Sequence, residues 1–208
     1  MIKNVVFDFG QVLIRFDPKY MVEQYVTDPA DSALLQEVVF DRLYWDKLDQ
    51  GTITDAQVIA ACRERVPQRL YGAVEDIYYN WIYNIPEIDG MRELIRYIKE
   101  RYGVRLLVLS NICTYFAHHS GEIPILDEFE GCVFSAVCGH TKPNAGIFEH
   151  LCGRFGIDKS ETLFIDDSPK NIRGAEAYGI KGYIFDGDVE RLIGFLDEML
   201  SEKAERCE

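Results

Sequence analysis

Four places in this 208-residue chain carry residue types that could handle a phosphate group. Asp8 ends the apolar run Val5-Val6-Phe7, and Gly10 stands two positions on. Leu106-Leu107-Val108-Leu109 ends in Ser110-Asn111, and Lys142-Pro143 stands just before an amphipathic stretch. Thr162-Leu163-Phe164-Ile165 ends in the acidic pair Asp166-Asp167. A carboxylate such as Asp8 can attack phosphorus to give an acyl phosphate, which divides one hard displacement into two easier ones. It cannot approach a phosphate dianion unaided, because like charges repel strongly at short range. Asp166 and Asp167 supply hard oxygen ligands suited to Mg²⁺. Lys142 brings a compact positive charge for the negative charge that builds up in phosphoryl transfer. Ser110 and Asn111 offer a hydroxyl and backbone N–H groups to phosphate oxygens.

Each feature alone has a plainer reading: a strand-end carboxylate, a turn, a solvated lysine, a helix-capping acid. Their placement argues for more. The apolar runs before Asp8, Ser110 and Asp166 are short enough for buried strands, and the first begins with β-branched residues. Helical periodicity fills the gaps. Alternating strands and helices make a parallel sheet with right-handed crossovers, which binds ligands beyond the carboxyl ends of its strands. Asp8, Ser110 and Asp166-Asp167 all fall at such ends. The fold class read from the pattern is therefore α/β, a Rossmann-like parallel sheet.

The elements that must position these residues follow in order. A strand is predicted over 2–8, then a turn and short extended excursion over 10–16. Asp17-Pro18 reads as a helix start, with Asp17 as its cap. From 17 to 85 the pattern is helical with no convincing strand, a unit of roughly four helices that is long enough for a small domain. Asp49 to Thr54 reads as a turn into a helix capped by Thr54. The core then comprises 1–16 and 86–208, with its exits near Phe16 and Pro86 as hinge candidates. Met91, Leu94, Ile95 and Ile98 mark a helix closed at Gly103. Strands are predicted over 105–109, 132–137, 162–165 and 182–185, and 114–131 is poorly determined. Ile147, Phe148, Leu151 and Phe155 mark a helix stopped at Gly156. Ile172, Ala175 and Tyr178 mark another, and 189–200 the last. The polar tail 201–208 is expected to fray.

The net charge of −13 argues against a nucleic-acid partner, since binding phosphate backbones needs clustered Lys and Arg. No run reaches membrane-spanning length and the N-terminus lacks a signal-peptide pattern, so a cytoplasmic location is the default expectation. The cysteines form no close metal-type pairs and are read as free thiols, several of them buried. Cys113, close behind Asn111, reads as packing before reactivity. The histidines show no zinc-ligand spacing, and His140 reads as loop surface.

Taken together and in order, the four motifs resemble the signature motifs of the haloacid dehalogenase superfamily. Lys142-Pro143-Asn144-Ala145-Gly146-Ile147-Phe148 resembles its third motif closely, although an acid is commoner where Asn144 stands. The resemblance implies Asp8 as nucleophile. It implies Mg²⁺ shared among Asp8, the Gly10 backbone carbonyl and the acids Asp166 and Asp167, with Asp167 at the more regular ligand position. It also implies that the helical unit is a cap domain that selects substrate, and that the activity is hydrolysis of a small phosphorylated metabolite such as a sugar phosphate. Tyr20, Tyr44, Trp45, Tyr78, Tyr79 and Trp81 are candidates for an aromatic substrate wall, although aromatics at helical spacing more often fill a core. The oligomeric state is not legible.

Two positions depart from the pattern. Asn171 stands where many members carry an aspartate, and reads as orienting the loop. Gly10 stands where phosphatases of the family carry a second aspartate, the general acid and base. Three readings follow: a sugar-phosphate-phosphatase-like subset using water or another acid, with Asp17 as one candidate; a metal-independent dehalogenase; or a phosphate- or partner-binding module without turnover.

Overall fold

The computed structural model describes residues 1–201; the expected frayed tail lies outside the described residues apart from Ser201, which ends the last helix. Five strands form one parallel sheet: β1 (Asn4–Phe7), β2 (Arg105–Ser110), β3 (Gly131–Phe134), β4 (Thr162–Asp166) and β5 (Lys181–Ile184). Their order is β3-β2-β1-β4-β5, so the chain works outward from β1 on one side and then returns to its other side. That reversal puts a crevice at the carboxyl ends of β1 and β4, the ligand position of open α/β sheets.

The strand side chains alternate between two cores. Val6, Leu107, Leu109, Val133 and Phe164 pack with α9 (Ala145–Phe155) and α10 (Pro169–Tyr178) on one face. Val5, Phe7, Leu106, Val108, Leu163 and Ile165 face the other side, with α6 (Met91–Tyr102) and α11 (Val189–Ser201). Burial on both faces explains why these strands read as continuous apolar runs.

Between β1 and α6 the chain is helical, as the pattern predicts. It contains five α-helices, one more than the rough expectation: α1 (Pro18–Glu23), α2 (Pro29–Val39), α3 (Arg42–Asp49), α4 (Asp55–Glu64) and α5 (Tyr71–Asn80). Asp17 caps α1 by accepting from Lys19 N and Tyr20 N, and Thr54 heads α4 in a capping box with Gln57. The connecting segments pair with each other: Arg15 N–H donates to the Pro86 carbonyl at 2.8 Å and Ile88 N–H to the Leu13 carbonyl at 3.0 Å. Buried residues of the helical unit, among them Met21, Leu35, Val58 and Ile77, are continuous with the sheet's own apolar core.

One predicted element changes type. The strand expected over 132–137 ends at Phe134, and Ser135–Cys138 turns into the short helix α8. The Ser135 hydroxyl accounts for the break, accepting from Ile112 N–H at 2.9 Å and donating to the Asp49 carbonyl at 2.6 Å. The undetermined stretch after Asn111 starts with α7 (Thr114–His119) and continues as short 3₁₀ turns. Among the described residues, no helix is long and apolar enough to cross a membrane.

Candidate active site

Asp8 follows β1 directly and is held by neighbours on both sides. Its backbone N–H donates to the Ile165 carbonyl of β4 at 2.8 Å, and its Oδ1 accepts from Phe9 N–H at 2.7 Å. Lys142 Nζ lies 2.7 Å from Asp8 Oδ1 and 2.7 Å from Asp166 Oδ2, with its side chain almost wholly buried. No partner among the described residues engages Asp8 Oδ2, and Asp8 lines a cavity of about 660 Å³ at the sheet's carboxyl edge.

Asp166 is completely buried and fully occupied. Its Oδ1 accepts from Ser168 N–H at 2.8 Å, its Oδ2 from Lys142, and Asn171 Nδ2 lies 3.1 Å from both oxygens. A carboxylate has about four acceptor sites, so Asp166 has none to spare. Asn171 therefore holds this acid, where the sequence reading has it orienting the loop. Asp167 is exposed at the cavity wall, and among the described residues its carboxylate accepts only from its own backbone N–H. Asp8, Asp166 and Asp167 each place one oxygen within 4.8 Å of the others.

The lysine is positioned through its backbone. Asn111 Oδ1 accepts from Lys142 N–H at 2.7 Å, and Asn111 Nδ2 donates to the Lys142 carbonyl at 3.1 Å. The Asn111 side chain is therefore committed to the lysine, and its backbone N–H is what it can offer to phosphate. Ser110 Oγ makes only a 3.5 Å contact to the Asn111 carbonyl, which leaves the hydroxyl free to turn toward the cavity. Behind Lys142, Gly174 of α10 allows close packing, since a Cβ there would lie 2.4 Å from the Pro143 carbonyl oxygen.

The electrostatics follow from burying two acids around one ammonium, with a third acid exposed beside them. Burial pushes the Asp8 carboxyl up to about 7; Lys142 opposes the rise and Asp166 adds to it. Burial would pull Lys142 down, but Asp8 and Asp166 outweigh it and hold the ammonium above the usual lysine range. Desolvation, then Asp166, raises Asp167. Three carboxylates against one ammonium leave excess negative charge in a confined space. Their hard oxygen donors and that excess fit a divalent cation such as Mg²⁺.

The structure thus brings Asp8, Ser110, Asn111, Lys142, Asp166, Asp167 and Gly10 to one cavity, which Asp166 reaches through Lys142. The other acid considered for Gly10's missing role, Asp17, is occupied as a helix cap. Of the aromatic candidates, Trp45, Tyr78 and Trp81 are buried, and Trp45 and Trp81 pack edge to face 5.3 Å apart. They are mainly core; one face of the Trp45–Trp81 pair borders a side slot of about 190 Å³ beside Gly10. Tyr20 is exposed and lines neither space.

The sequence reading missed Arg42, Asp46 and Asp49, which bring α3 to the cavity wall. Asp49 is buried, and desolvation pushes its carboxyl up to about 7; Arg42 and Lys142 oppose the rise, and Asp46 reinforces it. A signal was present. Trp45 and Asp49 are four apart and share a helical face, so an acid rides on the apolar side of α3.

A parallel sheet with reversed strand order places its acid-lined crevice at the carboxyl edge, where open α/β sheets bind ligands. A family model described as "Hydrolase: haloacid dehalogenase-like hydrolase" matches residues 2–179, and the chain belongs to that family. D-ribitol-5-phosphate phosphatase of Bacteroides thetaiotaomicron is 27% identical over 192 residues, covering 88% of this chain and 91% of the relative. Sesquiterpene phosphatase astK of Aspergillus oryzae is 25% identical over 182 residues, covering 86% and 88%. Among solved structures, the magnesium complex of HAD family enzyme bt-2542 from Bacteroides thetaiotaomicron superposes with a TM-score of 0.69 at 25% identity, covering 92% of this chain and 98% of that one.

Proposed function

We propose that this chain is an Mg²⁺-dependent phosphatase of small phosphomonoesters that works through an aspartyl phosphate on Asp8. The observation that carries the reading is Lys142 Nζ, 2.7 Å from both Asp8 and Asp166, beside the cluster of acid oxygens of Asp8, Asp166 and Asp167. Relatives named as phosphatases, one of an alditol phosphate, support this substrate class.

Asp8, through Oδ2, attacks phosphorus in line with the departing ester oxygen. Ser110 Oγ and the Asn111 backbone N–H hold the phosphoryl oxygens, and Lys142 balances charge on Asp8 and on the group in transfer. Asp8, Asp167 and the Gly10 carbonyl would hold Mg²⁺, which supplies electrostatic shielding of the phosphate when bound. Asp166, saturated by four hydrogen bonds, acts by fixing Lys142 and supporting the cation from behind. The helices over 17–85 act as a cap domain, with α3 forming the wall over the reacting groups and limiting water access.

The test is phosphate release from a phosphomonoester panel, with sugar and alditol phosphates included, assayed with Mg²⁺ and with EDTA. Turnover should require Mg²⁺ and vanish in Asp8→Asn, and hydroxylamine should trap the wild-type acyl phosphate. Absence of phosphate release across the panel would overturn the proposal.

A further inference from the structure

Breaking the ester bond of an alkyl phosphate expels a poor leaving group unless a proton reaches its oxygen. Gly10 has no side chain to supply one, and Lys142 is clamped between two carboxylates. We propose that Asp49, at the end of α3, is the general acid and base of this site; the proposal rests on the phosphatase reading above.

Geometry singles out this residue. Asp49 is 9% exposed and lines the same cavity as Asp8. Among the described residues its carboxylate accepts no hydrogen bond. It is not sealed in either, since Arg63 Nε is the sole buried side-chain nitrogen or oxygen found there without a partner. The carboxylate therefore opens to the cavity. Its backbone is locked to the phosphate cradle: the Ser135 hydroxyl that donates to the Asp49 carbonyl at 2.6 Å accepts from Ile112 N–H at 2.9 Å, two residues after Ser110. On the facing side, a Cβ at Gly10 would meet nothing within 4 Å, so room for a leaving group is left beside Asp8.

The charged groups acting on Asp49 are Arg42 and Asp46 from its own helix and Lys142 from the core; burial, helped by Asp46, outweighs the two cations and holds its proton up to about pH 7. The other acids are occupied or displaced. Asp46 pairs with Arg42 at 2.6 Å with its side chain half exposed, and Asp17 caps α1.

The proton balance is simple. Asp8 bonds to phosphorus, the phosphorus–ester oxygen bond breaks, and that oxygen takes the Asp49 proton and leaves as the alcohol. The Asp49 carboxylate then takes a proton from water as the water oxygen bonds to phosphorus and the phosphorus–Asp8 bond breaks. Inorganic phosphate leaves, with Asp8 ionised and Asp49 protonated again.

Leaving-group dependence tests this. Asp49→Asn should lower kcat on an alkyl ester, such as ribitol phosphate or glycerol phosphate, about 100-fold or more, the scale of general acid catalysis. On p-nitrophenyl phosphate, whose leaving group needs no proton near neutrality, the first step should slow less than about tenfold. The alkaline limb of the wild-type kcat profile for the alkyl ester should disappear in the variant. Asp49→Glu should retain more alkyl-ester turnover than Asn, and Gly10→Asp should restore part of it to Asp49→Asn. Circular dichroism and phosphate affinity check that each variant is folded. An equal first-step loss on both ester classes, or no loss on either, overturns the role of Asp49 while leaving the phosphatase reading intact. Wild-type protein inert toward every ester overturns both.

Discussion

Asn111 clasps the peptide of Lys142 from both sides, accepting from its N–H at 2.7 Å and donating to its carbonyl at 3.1 Å. A residue at the end of β2 therefore sets where the ammonium reaches between β1 and β4. Asn111→Ala removes both bonds and should cost about 1–3 kcal/mol in urea denaturation, from two lost hydrogen bonds of about 0.5–1.5 kcal/mol each. Turnover should fall as Lys142 loosens, while Mg²⁺ affinity from titration calorimetry holds, because no acid of the trio is touched. Unchanged stability would mean the clasp has no energetic weight.

Lys142 is the charge whose removal should matter most. Lys142→Met leaves Asp8 and Asp166 buried without their shared cation, and breaking a buried ion pair on one side costs about 3–5 kcal/mol. In EDTA the variant should lose stability on that scale, and saturating Mg²⁺ should recover part of it. Thermal unfolding with and without the metal reads both effects. A variant as stable as wild type in EDTA contradicts this account.

Asn171 donates to both oxygens of Asp166 at 3.1 Å. In Asn171→Asp an acceptor replaces that donor, so two carboxylates face each other at hydrogen-bonding distance. The apo protein should melt lower than wild type, and the gap should narrow on adding Mg²⁺, since a divalent cation gains more from a site with more charge. A gap that widens with Mg²⁺ contradicts this.

Asp49 also predicts a stability profile. Its folded pKa is raised to about 7 from an ordinary 3.8, so the folded chain holds a proton that the unfolded chain releases across that window. Stability from this group is fully present below about pH 4 and is lost as pH rises to about 7. Asp49→Asn has no such titration. Relative to wild type, the variant should gain stability progressively from pH 4 to 7 and stay ahead above it. Equilibrium unfolding in EDTA at several pH values checks the slope, and a constant difference would show that the acid is not buried in solution.

Gly51 has φ +67°, and a Cβ there would lie 2.9 Å from the Ala136 carbonyl oxygen. Gly51→Ala must strain the turn or push α3 off α8. A loss of about 1–3 kcal/mol is expected, as for other enforced backbone strain. The loss should come with slower turnover, because Asp49 moves with the turn. Denaturation and initial rates measured on one preparation test the link.

The core of the fold was legible because β1, β2 and β4 are buried on both faces, and their chemistry begins where the apolar run stops. Asp8, Ser110 and Asp166-Asp167 could be placed at one edge for that reason. Asn171 could be read as an orienting residue because its amide cannot serve as an acid. The far wall was hidden. Asp49 looked like the first residue of a turn, and only its tertiary bond to Ser135 shows that it is the buried end of a helix. The same contact sits where β3 gives way to α8. In the helical unit, aromatic spacing does not distinguish Trp45 and Trp81, which fill the core, from residues that would touch a ligand.

The Ser135 bridge also couples selection by size to chemistry. A guest bulky enough to prise α3 from the sheet must first rupture a buried hydroxyl contact, and in doing so it drags the proton source out of range. Esters that enter without parting α3 from the sheet keep Ser110 and the proposed proton source in one hydrogen-bonded assembly.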